Sequence, residues 1–130
     1  MEPNPVQDQS SPPNRILVVD DNRDTRQHSV DLLIDAGYEV ESVNDGAAGL
    51  DELQTCEFDL VITDYLMPEM KGDQLVALIK ASRPGQRIIM VTAFAEDFLT
   101  HGKPTGGVDC VLNKPFSLEE LRAAITKVMA

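Results

Sequence analysis

Three short apolar runs in this chain each end in side chains that could do chemistry. Leu60-Val61-Ile62 is followed by Thr63 and Asp64, Ile16-Leu17-Val18-Val19 by Asp20 and Asp21, and Ile88-Ile89-Met90-Val91 by Thr92. Runs of this kind, with β-branched members, read as strands buried on both faces. Open α/β sheets bind their ligands at the carboxyl ends of such strands. As parallel neighbours, the three strands would bring three carboxylates and a hydroxyl to one rim. Like charges that close repel, and a bound cation is the usual remedy. All-oxygen, carboxylate-rich ligation suits Mg²⁺ or Mn²⁺, and Ca²⁺ also fits.

The rest of the chain supplies elements to position these groups. Residues 1–14 hold Pro3, Pro5, Pro12 and Pro13 among Asn, Gln, Ser and Asp. With so little apolar surface to bury, they read as a disordered tail. The first strand is Arg15–Val19. A helix starts at Asn22 or Arg23 and stops at Gly37, a C′ glycine. Ser29, Leu32, Leu33 and Ala36 share its core face. Val30 and Ile34 fall off that face, open to a neighbouring helix or a partner protein. Residues 38–43 alternate as an edge strand, Tyr38 and Val40 inward, Glu39 and Glu41 outward. Strict alternation would send Ser42 inward and Val43 outward, against their polarity, which leaves the end of this strand open. Residues 44–54 form a second helix with Leu50 and Leu53 on its core side, weakened by Gly46 and Gly49.

Pro68 and Gly72 mark a loop after the central strand. Residues 73–81 then give a third helix that buries Leu75, Val76, Leu78 and Ile79, ended by Pro84-Gly85. The fourth strand is 87–91. Residues 96–99 leave room for one helical turn before Gly102, Pro104, Gly106 and Gly107. A proline costs ~3 kcal/mol and each glycine about 1 kcal/mol in a helix interior. The helix between the fourth and fifth strands is therefore expected to be shortened or irregular. The last strand is 109–112, and Ser117 with Glu120 forms a capping box for a final helix carrying Leu118, Leu121, Ile125 and Val128. Five strands alternating with helices imply a doubly wound α/β sheet over 15–130, since right-handed crossovers cover both faces.

One domain is the natural count for 130 residues. A hydrophobic share of 42% with 25% charged residues is that of an ordinary globular protein. The formal net charge of −11 argues against partners built on phosphate, nucleic acid or anionic membrane. Cys56 and Cys110 lack metal-site spacing and read as two reduced, partly buried thiols. No charged-then-apolar leader opens the chain, and no apolar run approaches the ~18–20 residues of a membrane span. A cytoplasmic protein is expected. His28 reads as a helix-surface histidine without acid, base or metal partner, and His101 as a loop residue.

Asp20-Asp21, Asp64 followed by Met67-Pro68, Thr92 and Lys114-Pro115 stand in order, each at a predicted strand end. From about Arg15 onward the chain resembles the receiver domain of two-component response regulators. The resemblance implies a flavodoxin-like strand order, 2-1-3-4-5, which sets strands 1 and 3 side by side. It implies that Asp64 is the phosphoacceptor, that Asp21 and Asp64 ligate Mg²⁺ directly, and that Asp20 helps through water. The Leu66 carbonyl would complete the protein ligands. Lys114, Thr92, the Ala93 amide and Tyr65 would surround the phosphate. A unit charge pair such as Lys114 with phosphate is worth about 4 kcal/mol at 4 Å and an effective dielectric of 20, before desolvation. Pro115 would follow a cis peptide that aims the lysine inward.

Carboxylates do serve as covalent nucleophiles, and phosphoryl transfer asks mainly for positioning and charge neutralisation. The implied donor is a phosphohistidine on a sensor histidine kinase or phosphotransfer protein. The receiver catalyses only its own phosphorylation and dephosphorylation, so it is a switch rather than a metabolic enzyme. Leu66 and Phe94 would flank the phosphate, and their apolar bulk implies slow dephosphorylation. Receivers usually signal through an aromatic three residues before the lysine, which here is Val111. Output is therefore expected from a segment spanning about 95–107 whose order changes on phosphorylation. With no further domain after Met129, a single-domain regulator that binds a target or relays phosphate is expected.

Three other classes compete. An Asp-nucleophile phosphatase wants a second Asp two residues on, where this chain has Leu66. A flavin module of similar topology wants a Ser/Thr/Gly-rich loop after the first strand, where Asp20-Asp21-Asn22 would repel a phosphate. A receiver that has lost phosphorylation and only binds partners is the serious rival, and acyl-phosphate labelling separates the two.

Overall fold

Four crossings between parallel strands bring the acidic strand ends together. The computed structural model describes residues 14–100, 103–104 and 106–130. The elements are β1 (Arg15–Val19), α1 (Arg23–Asp35), β2 (Glu39–Val43), α2 (Gly46–Thr55), β3 (Leu60–Asp64), α3 (Gly72–Ser82) and β4 (Ile88–Thr92). A 3₁₀ turn (Ala95–Phe98), β5 (Leu99–Thr100), β6 (Lys103–Pro104), β7 (Cys110–Asn113) and α4 (Leu118–Met129) follow. The main sheet is parallel, ordered β2-β1-β3-β4-β7. Counting its own strands alone, that is 2-1-3-4-5, the flavodoxin-like arrangement.

Alternation along each strand divides the core in two. Ile16, Val18, Leu60, Ile62, Ile89, Val91 and Leu112 face Leu33 of α1 and Leu121, Ala124, Ile125 and Val128 of α4. Leu17, Val19, Val61, Ile88 and Met90 face Leu53 of α2 and Leu75, Val76 and Ile79 of α3. Burying one such side chain contributes about 1.5–3 kcal/mol, so a sheet covered on both faces suits strands that are apolar throughout.

The helix ends follow the sequence. Asn22 caps α1 by accepting from the Asp24 and Thr25 amides, and Gly37 beyond it takes φ of 98°. Asp45 caps α2 through the Ala48 amide at 2.7 Å. Ser117 and Glu120 form the reciprocal capping box of α4, at 3.0 and 3.1 Å.

One expectation needs correction. Leu78 is 48% exposed. At 100° per residue, Leu75, Ile79 and Val76 fill an arc of 100° and Leu78 lies 60° outside it. In β2, Ser42 is exposed while Val43 is half-buried against the α2 side. Both faces of this edge strand are partly covered, so simple in–out alternation does not hold. Ile34 is exposed at the open edge of β2. Between β4 and β7 the described residues form the 3₁₀ turn and the antiparallel β5–β6 pair, where a full helix was not expected. Residues 1–13, His101, Gly102 and Thr105 lie outside the described residues, so the expected disordered tail and most of the 95–107 output segment's centre are not described.

Candidate functional site

Strand register places the candidate side chains. Val19 pairs with Thr63, so Asp20 and Asp64 leave adjacent strands side by side. Asp64 pairs with Val91 and Thr92 with Asn113, which sets Thr92 at the end of β4 and Lys114 just past the end of β7. Chain order alone does not bring these groups together; the parallel register does.

Asp20, buried, is held on every polar atom. Its amide donates to the Val43 carbonyl at 3.1 Å, and its own carbonyl accepts from Arg26 at 2.8 Å. Its Oδ1 accepts from the Asn22 amide at 3.0 Å and its Oδ2 from the Thr25 hydroxyl at 2.6 Å. The Asp64 side chain is 11% exposed, and its Oδ1 accepts from the Tyr65 amide at 3.1 Å. Lys114 Nζ lies 3.2 Å from Asp64 Oδ1 and 3.8 Å from Asp20 Oδ2. The Lys114 amide donates to the Thr92 carbonyl at 2.9 Å, which anchors the base of the lysine to β4. The Lys114–Pro115 peptide is cis.

Asp20, Asp21 and Asp64 each offer an oxygen within 4.8 Å of the others, with Asp21 exposed to solvent. One lysine against three carboxylates leaves a formal charge of −2 at this rim. That surplus, borne entirely by oxygen donors, fits a hard divalent cation such as Mg²⁺.

Burial pushes the Asp64 carboxyl above its ordinary range; Lys114 pulls the other way and Asp20 adds to the rise. An unfolded Asp titrates near ~3.9. Between that value and the raised folded one, the folded chain keeps a proton the unfolded chain has released. Stability therefore falls as pH rises through this window, and the penalty is complete above it. Asp64→Asn, which cannot ionise, should be more stable than the parent at neutral pH without divalent cations. We expect a higher Tm for the variant. Thermal melts of both proteins in a chelator check this, and equal values would mean Asp64 carries no such penalty.

The remaining sequence candidates surround this centre. Thr92 is buried, and its hydroxyl accepts from the Phe94 amide at 3.1 Å. Ala93 is exposed beside it. Leu66 and Phe94 are 57% and 58% exposed. Val111 is half-buried, packed in the same cluster as Tyr65 and Phe98. His28 is exposed on α1 and lines a groove with Thr25, Lys114 and Phe116. Cys56 and Cys110 are free and half-buried.

Sequence reasoning missed two features. One is Thr25, whose place in the first turn of α1 lets it reach back to Asp20, a spacing readable once Asn22 is taken as the cap. The other is an aromatic pair, Tyr65 and Phe98, with ring centroids 4.4 Å apart. No local pattern signals that contact, since it depends on how the 3₁₀ turn packs.

Comparison with known proteins follows the same lines. The profile of the response regulator receiver domain family matches residues 16–126. The chain is 36% identical over 115 residues to the response regulator receiver protein CpdR of Brucella abortus, covering 88% of this chain and 96% of CpdR. Other curated relatives, sensor kinases among them, are longer, and the chain spans from 7% to 51% of their lengths. The structure of the chemotaxis response regulator CheY4 of Vibrio cholerae superposes with a TM-score of 0.81 at 32% identity, over 89% of this chain and 98% of that one. The response regulator TrrA of Thermotoga maritima, in complex with Mg(2+)-BeF, gives 0.79 at 29% identity, over 88% and 98%. Family profile, relatives and fold agree: the chain belongs to the receiver domain family of two-component response regulators, signalling proteins rather than metabolic enzymes.

Proposed function

We propose that this chain is a phosphorylation-activated switch in which Asp64 accepts a phosphoryl group from a phosphohistidine. The observation that carries the reading is the pairing of Asp64 with Lys114 at 3.2 Å, inside a cluster of three carboxylates. One Asp64 oxygen attacks phosphorus, the P–O bond forms, and the P–N bond to the donor imidazole breaks. Charge spreads over the equatorial oxygens as this happens, so positioned cations do most of the work. In this reading Lys114 follows one phosphate oxygen, the Thr92 hydroxyl and Ala93 amide meet others, and Tyr65 completes the loop.

Asp20, Asp21 and Asp64, with the Leu66 carbonyl, would hold Mg²⁺, or Mn²⁺ in its place. When bound, the ion neutralises charge on the phosphoryl oxygens. The related TrrA is known in complex with Mg(2+)-BeF, which supports this choice of ion. The implied partners are a sensor histidine kinase or a histidine phosphotransfer protein, and beyond them a protein target. Among the described residues no helix is long and apolar enough to cross a membrane, and the reading places the switch in the cytoplasm with its donors.

Incubation with acetyl phosphate and Mg²⁺ should add one phosphoryl group by intact mass, and a chelator should prevent it. A receiver serving only as an interaction module would show no added mass with Mg²⁺ present.

The lifetime of the phosphate is a separate matter. Hydrolysis needs a water in line with phosphorus, and the exposed Leu66 and Phe94 side chains offer it no hydrogen bond. Dephosphorylation should therefore be slow, and Leu66→Asn combined with Phe94→Glu should shorten the lifetime several-fold. Decay that is unchanged or slower in the double variant would overturn the shielding argument.

A further inference from the structure

We infer that Thr25 is a positioning residue for the cation site, acting through Asp20; the inference rests on the Mg²⁺ reading above. The Thr25 hydroxyl donates to Asp20 Oδ2 at 2.6 Å, the short distance of a hydrogen bond to an ionised acceptor. The opposite oxygen, Oδ1, takes the Asn22 amide at 3.0 Å. A carboxylate offers about four lone-pair sites. One is occupied on each oxygen from the α1 side, and the others are left for an ion's water shell.

The hydroxyl is itself fixed. Thr25 is the third residue of α1, its amide donates to the Asn22 side chain at 3.0 Å, and its β-branched side chain is stiff at χ1. The same Asp20 oxygen lies 3.8 Å from Lys114 Nζ, whereas Asp64 lies 3.2 Å from it. Thr25 thus competes with the lysine for Oδ2. Without the hydroxyl, the nearest compensation for a buried Asp20 is to turn toward Lys114, drawing one carboxylate away from the cation and the lysine away from Asp64.

The test is Mg²⁺ titration of the full chain by calorimetry, on the parent and on Thr25→Val, Thr25→Ala and Thr25→Ser. Circular dichroism verifies folding, and Thr25→Ala carries the test where the valine variant does not fold. Removing the hydroxyl should raise the Mg²⁺ Kd by about tenfold, the low end for outer-shell partners, while Thr25→Ser should restore the parental value. In phosphoryl uptake from acetyl phosphate, the half-saturating Mg²⁺ concentration should rise more than the plateau rate falls. A parental Kd in the variants lacking the hydroxyl would overturn the inference, and so would an equal loss in Thr25→Ser, which would assign the effect to packing. A parent that binds no Mg²⁺ would instead sink the cation site itself, before any substitution is considered.

Discussion

Asp64→Asn should take up no phosphoryl group from acetyl phosphate at any Mg²⁺ concentration, and Lys114→Ala should take it up about 10²–10³-fold more slowly than the parent. The first loss is complete because an amide oxygen lacks the charge and basicity to attack phosphorus. Among the described residues neither neighbouring carboxylate is a ready substitute: each Asp20 oxygen is held in place by Asn22 or Thr25, and Asp21 is exposed at the edge of the cluster. The second loss is partial because Lys114 forms no bond to phosphorus. It compensates charge from a fixed position, with its amide tied to the Thr92 carbonyl. Removing one preorganised donor from a site of developing negative charge costs about that factor. Intact mass measured over time on the three proteins distinguishes these outcomes. Phosphate appearing on Asp64→Asn at the parental rate would move the acceptor elsewhere. A Lys114→Ala variant as fast as the parent would show that the lysine serves only to offset the resting carboxylates.

The strand ends were readable because each apolar run stops where its polar residue begins, and parallel strands in register must then cluster those residues. Asp64 beside Asp20 is a consequence of Val19 pairing with Thr63, which no single segment specifies but a buried parallel sheet enforces. Capping was equally local at Asn22 and Ser117, which satisfy amides within three residues of themselves, whereas the Asp45 cap, one residue inside the expected start of α2, was not singled out. Leu78 was misplaced because three good core positions on α3 invited a fourth, and a wheel of 100° steps excludes it. The β5–β6 pair was beyond reach for a different reason. Gly102, Pro104 and Gly106 say what the segment cannot be, a continuous helix, without saying what it is. Thr25 was within reach of the capping pattern, three residues past Asn22, whereas the Tyr65–Phe98 contact depends on side-chain directions that follow only once the backbone is placed.

Gly72→Ala should destabilise the protein by about 2 kcal/mol and slow phosphoryl uptake, although alanine is the better helix former. Gly72 is the first residue of α3, and a Cβ built there would stand 2.5 Å from the Asp64 carbonyl oxygen and 2.9 Å from the Tyr65 Cα. Both are backbone atoms, so no rotamer change relieves the contact. The Gly72 amide also donates to the Tyr65 carbonyl at 2.8 Å, which closes the loop from Tyr65 onto the start of α3. Alanine would gain up to ~1 kcal/mol of helix propensity. Overpacking that forces backbone shifts costs about 1–3 kcal/mol and occasionally more, and a contact with two backbone atoms belongs at the upper end. The clash therefore wins. The backbone that must yield carries Asp64, while Lys114 stays anchored to β4, so the 3.2 Å pair between them should open. Gly85→Ala is the control, since a Cβ there meets nothing within 4 Å, and it should melt within a degree or two of the parent. A drop of ~8 °C in Tm for Gly72→Ala is expected at ~4 °C per kcal/mol, with uptake slowed at temperatures where the variant is still folded. A variant that matches the parent in both Tm and uptake would mean the loop can move away from Gly72 without disturbing Asp64.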